Sequence, residues 1–223
     1  MNHFHLLADK AEMIHVVASS VAELIRAAEG PFTLALSGGS TPEPIYARLA
    51  ELDLPWERVT VIQVDERWVP ETDPASNAAM IRRSLVVATG VKFLAFPVHG
   101  PTSQVQEYGE WVAALPSFDL ALLGMGADGH TASLFPGDAA LQADGWATTG
   151  TAPVQPQTRG TLTLGALQRF ERAMVLIDGA DKTETLQKIA ADKGFPIRRV
   201  TDGIAQVDWF ITQAAAGKTI QLF

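Results

Sequence analysis

Three polar segments carry the residue types that do chemistry: "SGGSTP" (Ser37–Pro42), "DERWVP" (Asp65–Pro70) and "GMGADGH" (Gly124–His130). The last sets Asp128 and His130 two residues apart in a glycine-rich turn. An imidazole is a general base near neutral pH. Glycines let a loop approach a substrate and offer N–H donors to a developing oxyanion. Asp128 and His130 are therefore the candidate catalytic residues, and Gly126 a candidate contact. The bland alternative is a loop histidine that only bonds a carbonyl. Gly124, Gly126 and Gly129 also fit G-x-G-x-x-G. That turn needs a helix directly after its last glycine. Here "HTASLFPG" follows, and Pro136-Gly137 allows at most a short turn, so no nucleotide cofactor is expected.

"SGGSTP" suits an anion. Gly38 and Gly39 can turn backbone N–H groups toward a phosphate, Ser40 adds a hydroxyl, and a following helix N-terminus favours negative charge. A tight turn with a helix cap explains the same residues equally well. Asp65 and Arg67 stand at a predicted strand end, where Arg67 can pair a phosphate bidentately; a salt-bridged surface loop is the ordinary alternative. Asp73, Ser76 and Asn77 read as turn or cap residues. Arg159 and Lys182 lie beside later strand ends. With Arg67 they would supply three positive charges to one dianion.

Other chemistries find no support. No Walker loop is present: in "GKT" at Gly217 the required upstream glycine is Thr212. No G-x-S-x-G marks a serine nucleophile. The chain has no cysteine. The five histidines (His3, His5, His15, His99, His130) form no H-x-x-x-H pair, so no metal is expected.

These loops need a frame that brings them together. Asp9 to Ala28 has Ile14, Val17, Val21, Leu24 and Ile25 on one helical face, stopped by Gly30-Pro31. Predicted strands are Phe32–Ser37, Val59–Val64, Val91–Phe96, Phe118–Gly124, Thr161–Leu164, Ala173–Asp178 and Val207–Thr212. Helices are predicted after Thr41 (capped by Thr41 before Pro42, or by Ser40 with Glu43), over 77–86, 104–114 and 181–192. "TAPVQPQTRG" reads as a surface loop, and Met125 and Met174 as core. Strands apolar on both faces, alternating with helices, give an α/β, Rossmann-like, doubly wound, mostly parallel sheet with helices on both faces. Ligands of such sheets sit beyond the carboxyl ends of the strands, where all three polar loops emerge. One domain over residues 1–223 is expected.

Of the 223 residues 47% are hydrophobic and the formal charge is −8, which fits a packed core and argues against nucleic-acid binding. No apolar run is long enough to span a bilayer. No basic leader precedes an apolar stretch, so a cytoplasmic protein is expected.

In order and spacing, "LALSGGSTP", "VDERWVP…DPASN" and "LLGMGADGHTASLFPG" resemble the 6-phosphogluconolactonase family. "R-x-TLTL-x-AL" (Arg159 to Leu167), "GADKTETL" and "DWFITQAAA" continue the likeness over nearly the whole chain. The resemblance implies a fold shared with glucosamine-6-phosphate deaminases. It implies hydrolysis of 6-phosphoglucono-1,5-lactone, in the pentose phosphate pathway, with no metal or organic cofactor. The expected partner is that small sugar-phosphate lactone, with no nucleic acid or membrane, and a monomer or small homo-oligomer. It implies Gly38, Gly39 and Ser40 at the phosphate, Arg67, Arg159 and Lys182 near the substrate, and His130 as the base beside Asp128. Two departures stand out. Val154 takes the place of a lysine that many members carry in a proline-rich stretch before the arginine. Phe135 stands where the deaminases have a glutamate, and "DERWV" replaces their D-E-Y-x-G; both favour the lactonase branch.

Overall fold

The computed structural model describes residues 1–98 and 100–217. His99, and Lys218 and Thr219 of the "GKT" segment, lie outside the described residues.

Seven parallel strands form the main sheet. They are β1 (Asn2–Leu7), β2 (Phe32–Leu36), β3 (Val59–Gln63), β5 (Lys92–Leu94), β6 (Leu120–Gly124), β9 (Arg172–Ile177) and β10 (Gln206–Thr212), in the order β1-β10-β9-β6-β2-β3-β5. Successive side chains of a strand leave on opposite faces, and both faces are covered. Leu34, Leu36, Val61, Leu120, Leu122, Leu176 and Phe210 pack with α1 (Lys10–Ala27), α2 (Glu43–Ala50) and α3 (Asn77–Ile81). Their neighbours Ala35, Ile62, Ala121, Leu123, Val175, Ile177 and Trp209 face the other way. There they pack with α5 (Gln104–Ala113), α6 (Leu164–Leu167), α7 (Thr183–Ala191), α8 (Pro196–Thr201) and α9 (Gln213–Ala216). The near-continuous apolar runs seen in the sequence are those of a sheet buried on two sides. Met125 and Met174 are buried, as expected.

Helix α1 begins where Asp9 accepts the Glu12 N–H at 2.9 Å while the Glu12 carboxylate accepts the Ala8 N–H at 2.6 Å, a reciprocal cap. Its buried stripe is Met13, Val17, Ala18, Val21, Ala22 and Ile25; Ile14 and Leu24 flank it rather than belong to it. After α3 the helix continues through a π-helical segment, Arg82–Val86, into α4 (Val87–Thr89), and Gly90 at φ 66° ends it.

Strand β1 in "NHFHLL" carries no sequence signal: as an edge strand it is half-exposed and has no apolar run. Three expectations change. "TLTL" does not join the parallel sheet. It contributes to β8 (Thr158–Leu162) of a separate antiparallel sheet with β4 (Asp65–Arg67) and β7 (Ala147–Thr151), in the order β4-β8-β7. "TAPVQPQTRG" is the turn of the β7–β8 hairpin and the start of its return strand. Finally, neither Ser40 nor Thr41 caps α2; Pro42 holds the cap position without a side-chain bond.

The order of strands reverses direction between β6 and β2, with β9 and β10 on one side and β3 and β5 on the other. This is the switch point at which such sheets open a crevice beyond their carboxyl ends. "SGGSTP" leaves β2 and "GMGADGH" leaves β6, so the two loops are neighbours at that crevice. The antiparallel sheet stands over it, bringing Arg67 and Arg159.

Candidate active site

One cavity of about 320 Å³ lies at the switch point. Of the predicted site residues, Gly38, Gly39, Ser40, Asp65, Arg67, Gly126, His130, Arg159 and Lys182 line it; Asp128 does not. Asp128 contacts His130 instead. Its Oδ1 lies 2.5 Å from His130 Nδ1 and accepts the His130 N–H at 3.1 Å. Burial pushes the Asp128 carboxyl up, but the hydrogen bonds and charge of His130 outweigh it and hold the carboxyl below its ordinary value. The other imidazole nitrogen, Nε2, is left for a ligand. The ring centroid is 4.6 Å from that of Phe135, tilted by 45°.

The glycines of this loop make room for the ring. A Cβ on Gly126 would sit 2.1 Å from His130 Cε1 and Nδ1. Gly129 takes φ +80°, a left-handed value, and its Cα faces the Phe195 ring. The loop closes on itself: Gly126 N–H donates to His130 O at 2.9 Å, and Gly129 N–H to Gly126 O at 3.0 Å. The N–H groups of Gly126, Gly129 and His130 are thus engaged within the loop, and those of Met125, Ala127 and Asp128 donate to no other residue among those described.

The β2–α2 loop behaves differently. Ser37 anchors its start by donating its N–H and Oγ to Leu122 O at 3.2 and 2.8 Å, and its carbonyl accepts from Tyr46 Oη at 2.9 Å. Beyond it, the N–H groups of Gly38, Gly39, Ser40 and Thr41 donate to no atom of the described residues, and all four residues line the cavity. Unpaired backbone donors facing a cavity are an anion cradle. Gly39 has φ +112°, and a Cβ on Gly38 would meet Asn77 Oδ1 at 1.8 Å.

Opposite stands the arginine pair. Arg67 on β4 and Arg159 on β8 are direct cross-strand partners. Arg67 donates through Nη1 to Ala75 O at 2.6 Å. Neither guanidinium has a carboxylate partner among the described residues, and the buried Nε atoms of both lack any hydrogen bond. Arg159 is only 6% exposed. Burial first, and then the neighbouring Arg67 charge, lower its pKa. A guanidinium keeps its proton regardless, so two like charges are held side by side in the wall. Lys182, at the start of α7, adds a third charge and meets Asp181 at 2.6 Å.

Asp65 and Glu66 hold this wall rather than face solvent. Asp65 accepts from Ser133 Oγ at 2.6 Å and from Asn77 Nδ2 at 3.2 Å, so both of its oxygens are engaged. Glu66 is fully buried. It accepts from the N–H groups of Arg67, Asn77 and Ala78, from Gln63 Nε2 and from Ser76 Oγ, at 2.7 to 3.2 Å. Burial raises its pKa, against the pull of those donors. Ser76 caps α3, as expected, through Ala79 N–H.

Asn77, Ser133 and Asp178 also line the cavity but were not expected to. Asn77 sits in "DPASN", where a cap already explains the serine and asparagine. Ser133 hides in "HTASLFPG" and is revealed only by Asp65, 68 positions away. The charge of Asp178 beside Lys182 was the one visible signal. Val154 is at the rim, 63% exposed. Among the described residues no three His, Asp or Glu gather as a metal site, and no helix is long and apolar enough to cross a membrane.

The sequence profile described as "Glucosamine-6-phosphate isomerases/6-phosphogluconolactonase" matches residues 8–209. A 6-phosphogluconolactonase of Caulobacter vibrioides is 37% identical over 194 residues, 81% of this chain and 82% of the relative. A crystal structure of a 6-phosphogluconolactonase from Shewanella baltica superposes with a TM-score of 0.86 at 26% identity, covering 95% of this chain and 98% of that one. A monomeric glucosamine-6-phosphate deaminase shares the fold, with a TM-score of 0.84 at 20% identity over 96% of this chain and 98% of its own. By motif order, sheet topology and these likenesses, the chain belongs to the glucosamine-6-phosphate isomerase/6-phosphogluconolactonase family.

Proposed function

We propose that this chain hydrolyses 6-phosphoglucono-1,5-lactone to 6-phosphogluconate, as a cytoplasmic, single-domain enzyme of the pentose phosphate pathway. One observation carries the reading. An imidazole oriented by a carboxylate shares a cavity with two arginines that have no acidic partner. A base and two arginines without a paired carboxylate, together in one crevice, suit a phosphorylated substrate with a hydrolysable centre.

The phosphate lies against the free N–H groups of Gly38, Gly39, Ser40 and Thr41, with Arg67, Arg159 and Lys182 supplying charge. This places the lactone carbonyl near His130. His130 Nε2 takes a proton from water as the water oxygen bonds to C1. The tetrahedral oxyanion forms in the field of the arginine pair, with the N–H groups of Gly126, Gly129 and His130 bonded within the loop. As C1–O5 breaks, the imidazolium returns its proton to the ring oxygen, leaving the open-chain acid, which ionises. Asp128 steadies the imidazolium. A positioned base contributes about 10²–10⁴-fold, and positioning and electrostatics supply the rest.

The test offers the protein freshly prepared 6-phosphoglucono-1,5-lactone and, separately, glucosamine 6-phosphate. Lactone loss far above the spontaneous rate with no ammonia release is the expected result. Ammonia release without lactone turnover would replace this reading with a deaminase.

A further inference from the structure

We infer that Thr185 is a positioning residue for the catalytic loop, tying the helix that follows Lys182 to the turn that carries His130; this rests on the reading of His130 as the base. Thr185 lies in the first turn of α7. Its side chain is buried, does not line the cavity, and donates its Oγ1 hydrogen to the carbonyl of Ala127. On the other side of Asp128, the Gly129 carbonyl accepts the Ile197 N–H of α8 at 3.1 Å. The Phe195 ring closes over the same glycine, where a Cβ would come within 2.4 Å of Cδ1.

Asp128 itself is anchored weakly. Its side chain is 42% exposed, and its inter-residue hydrogen bonds go to His130 alone. Nothing in its own contacts holds it against the frame of the protein. Its position, and through it the direction of the imidazole, depends on the two peptides beside it. Those peptides are pinned from outside by α7 and α8. The α7 pin is a hydroxyl three residues after Lys182, which lines the anion wall of the cavity. One short turn of helix therefore fixes the spacing between the phosphate anchor and the base. Ala127 is itself exposed, so without the Thr185 hydroxyl its carbonyl turns to water and the turn loses its tie to α7. A shift of about 1 Å at a catalytic group costs on the order of 10²-fold in rate.

The test compares T185V, which keeps the shape and removes the hydroxyl, with T185S, which keeps the hydroxyl, in lactone hydrolysis by the full chain. The expected result is a kcat reduced by about tenfold or more in T185V, a KM within about twofold of wild type, and recovery of kcat in T185S. F195A, which removes the half-buried ring at the other pin, is expected to lower kcat selectively as well, and it serves if T185V does not fold. Wild-type kcat in T185V, or an equal loss in T185S, overturns the inference, as does wild-type kcat in F195A where T185V is unfolded. H130A separates the two readings. If H130A is inactive while T185V is normal, only the role of Thr185 fails. If H130A is fully active, the base assignment fails first.

Discussion

His130 Nδ1 lies 2.5 Å from Asp128 Oδ1, and the imidazole rests against the bare Cα of Gly126. The carboxylate and the bare glycine thus meet the ring at its Nδ1 edge, where a Cβ on Gly126 would also come within 2.7 Å of Asp128 Oδ1. Both constraints come from residues within four positions, so the turn orients its own imidazole.

A methyl group at Gly126 tests the second constraint. Its Cβ would stand 2.1 Å from the ring, which is the far end of a side chain that can swing away. G126A should therefore stay folded and lose kcat by about 10- to 100-fold. Steady-state kinetics beside a thermal melt checks this. A normal kcat would mean that the observed ring position is not the working one.

The pH dependence tests the first constraint. The hydrogen bonds and charge of His130 hold Asp128 below its ordinary value against the effect of burial. A carboxyl with a lowered pKa remains ionised as pH falls until that lowered value is reached, so Asp128 stays charged beside the imidazole and adds no proton of its own to the acid limb. The acid limb of kcat/KM should thus have a slope of one proton. D128N should lower kcat and leave that single-proton limb in place; a two-proton limb in the wild type would contradict the assignment.

The arginine pair should trade stability for binding. Arg159 is buried without a carboxylate partner and beside another guanidinium, an arrangement that costs folding energy. R159M is expected to raise the melting temperature of the free protein and to raise KM sharply. A ligand at 100 times its Kd stabilises by about 2.7 kcal/mol, so 6-phosphogluconate should shift the wild-type melt and leave that of R159M nearly unmoved. Equal shifts in both would remove Arg159 from the anion site.

Glu66 supports this wall from behind. Five donors converge on its carboxylate, and the NH₂ of a glutamine there would face donors. E66Q should lose about 1–3 kcal/mol, roughly 2–4 °C of melting temperature per kcal/mol for a chain of this size. Denaturant unfolding measures it. A loss below a few tenths of a kcal/mol would show that the network rearranges freely.

The parallel sheet was legible because β2, β3, β6, β9 and β10 are apolar on both faces, and the three loops because glycine and charge interrupt those runs. The antiparallel sheet was not. Strand β4 is "DER", three charged residues whose burial depends on Ser133, Asn77 and the β8 backbone, none adjacent in sequence. β7 is "ATTGT", with no alternation strong enough to mark a strand. Helix signals at Ser40 and Thr41 misled, since both residues line the cavity and neither side chain caps α2. The engaged N–H groups of Gly126, Gly129 and His130 were equally invisible, because glycine spacing says nothing of where a loop's donors point.

The most direct measurement is the initial rate of hydrolysis of fresh 6-phosphoglucono-1,5-lactone by wild type and H130A side by side, each corrected for the spontaneous reaction. The account predicts rapid turnover by the wild type and a kcat lower by about 10²–10⁴-fold in H130A, with 6-phosphogluconate still bound. Equal rates in the two proteins, or no wild-type turnover above the spontaneous rate, would contradict it.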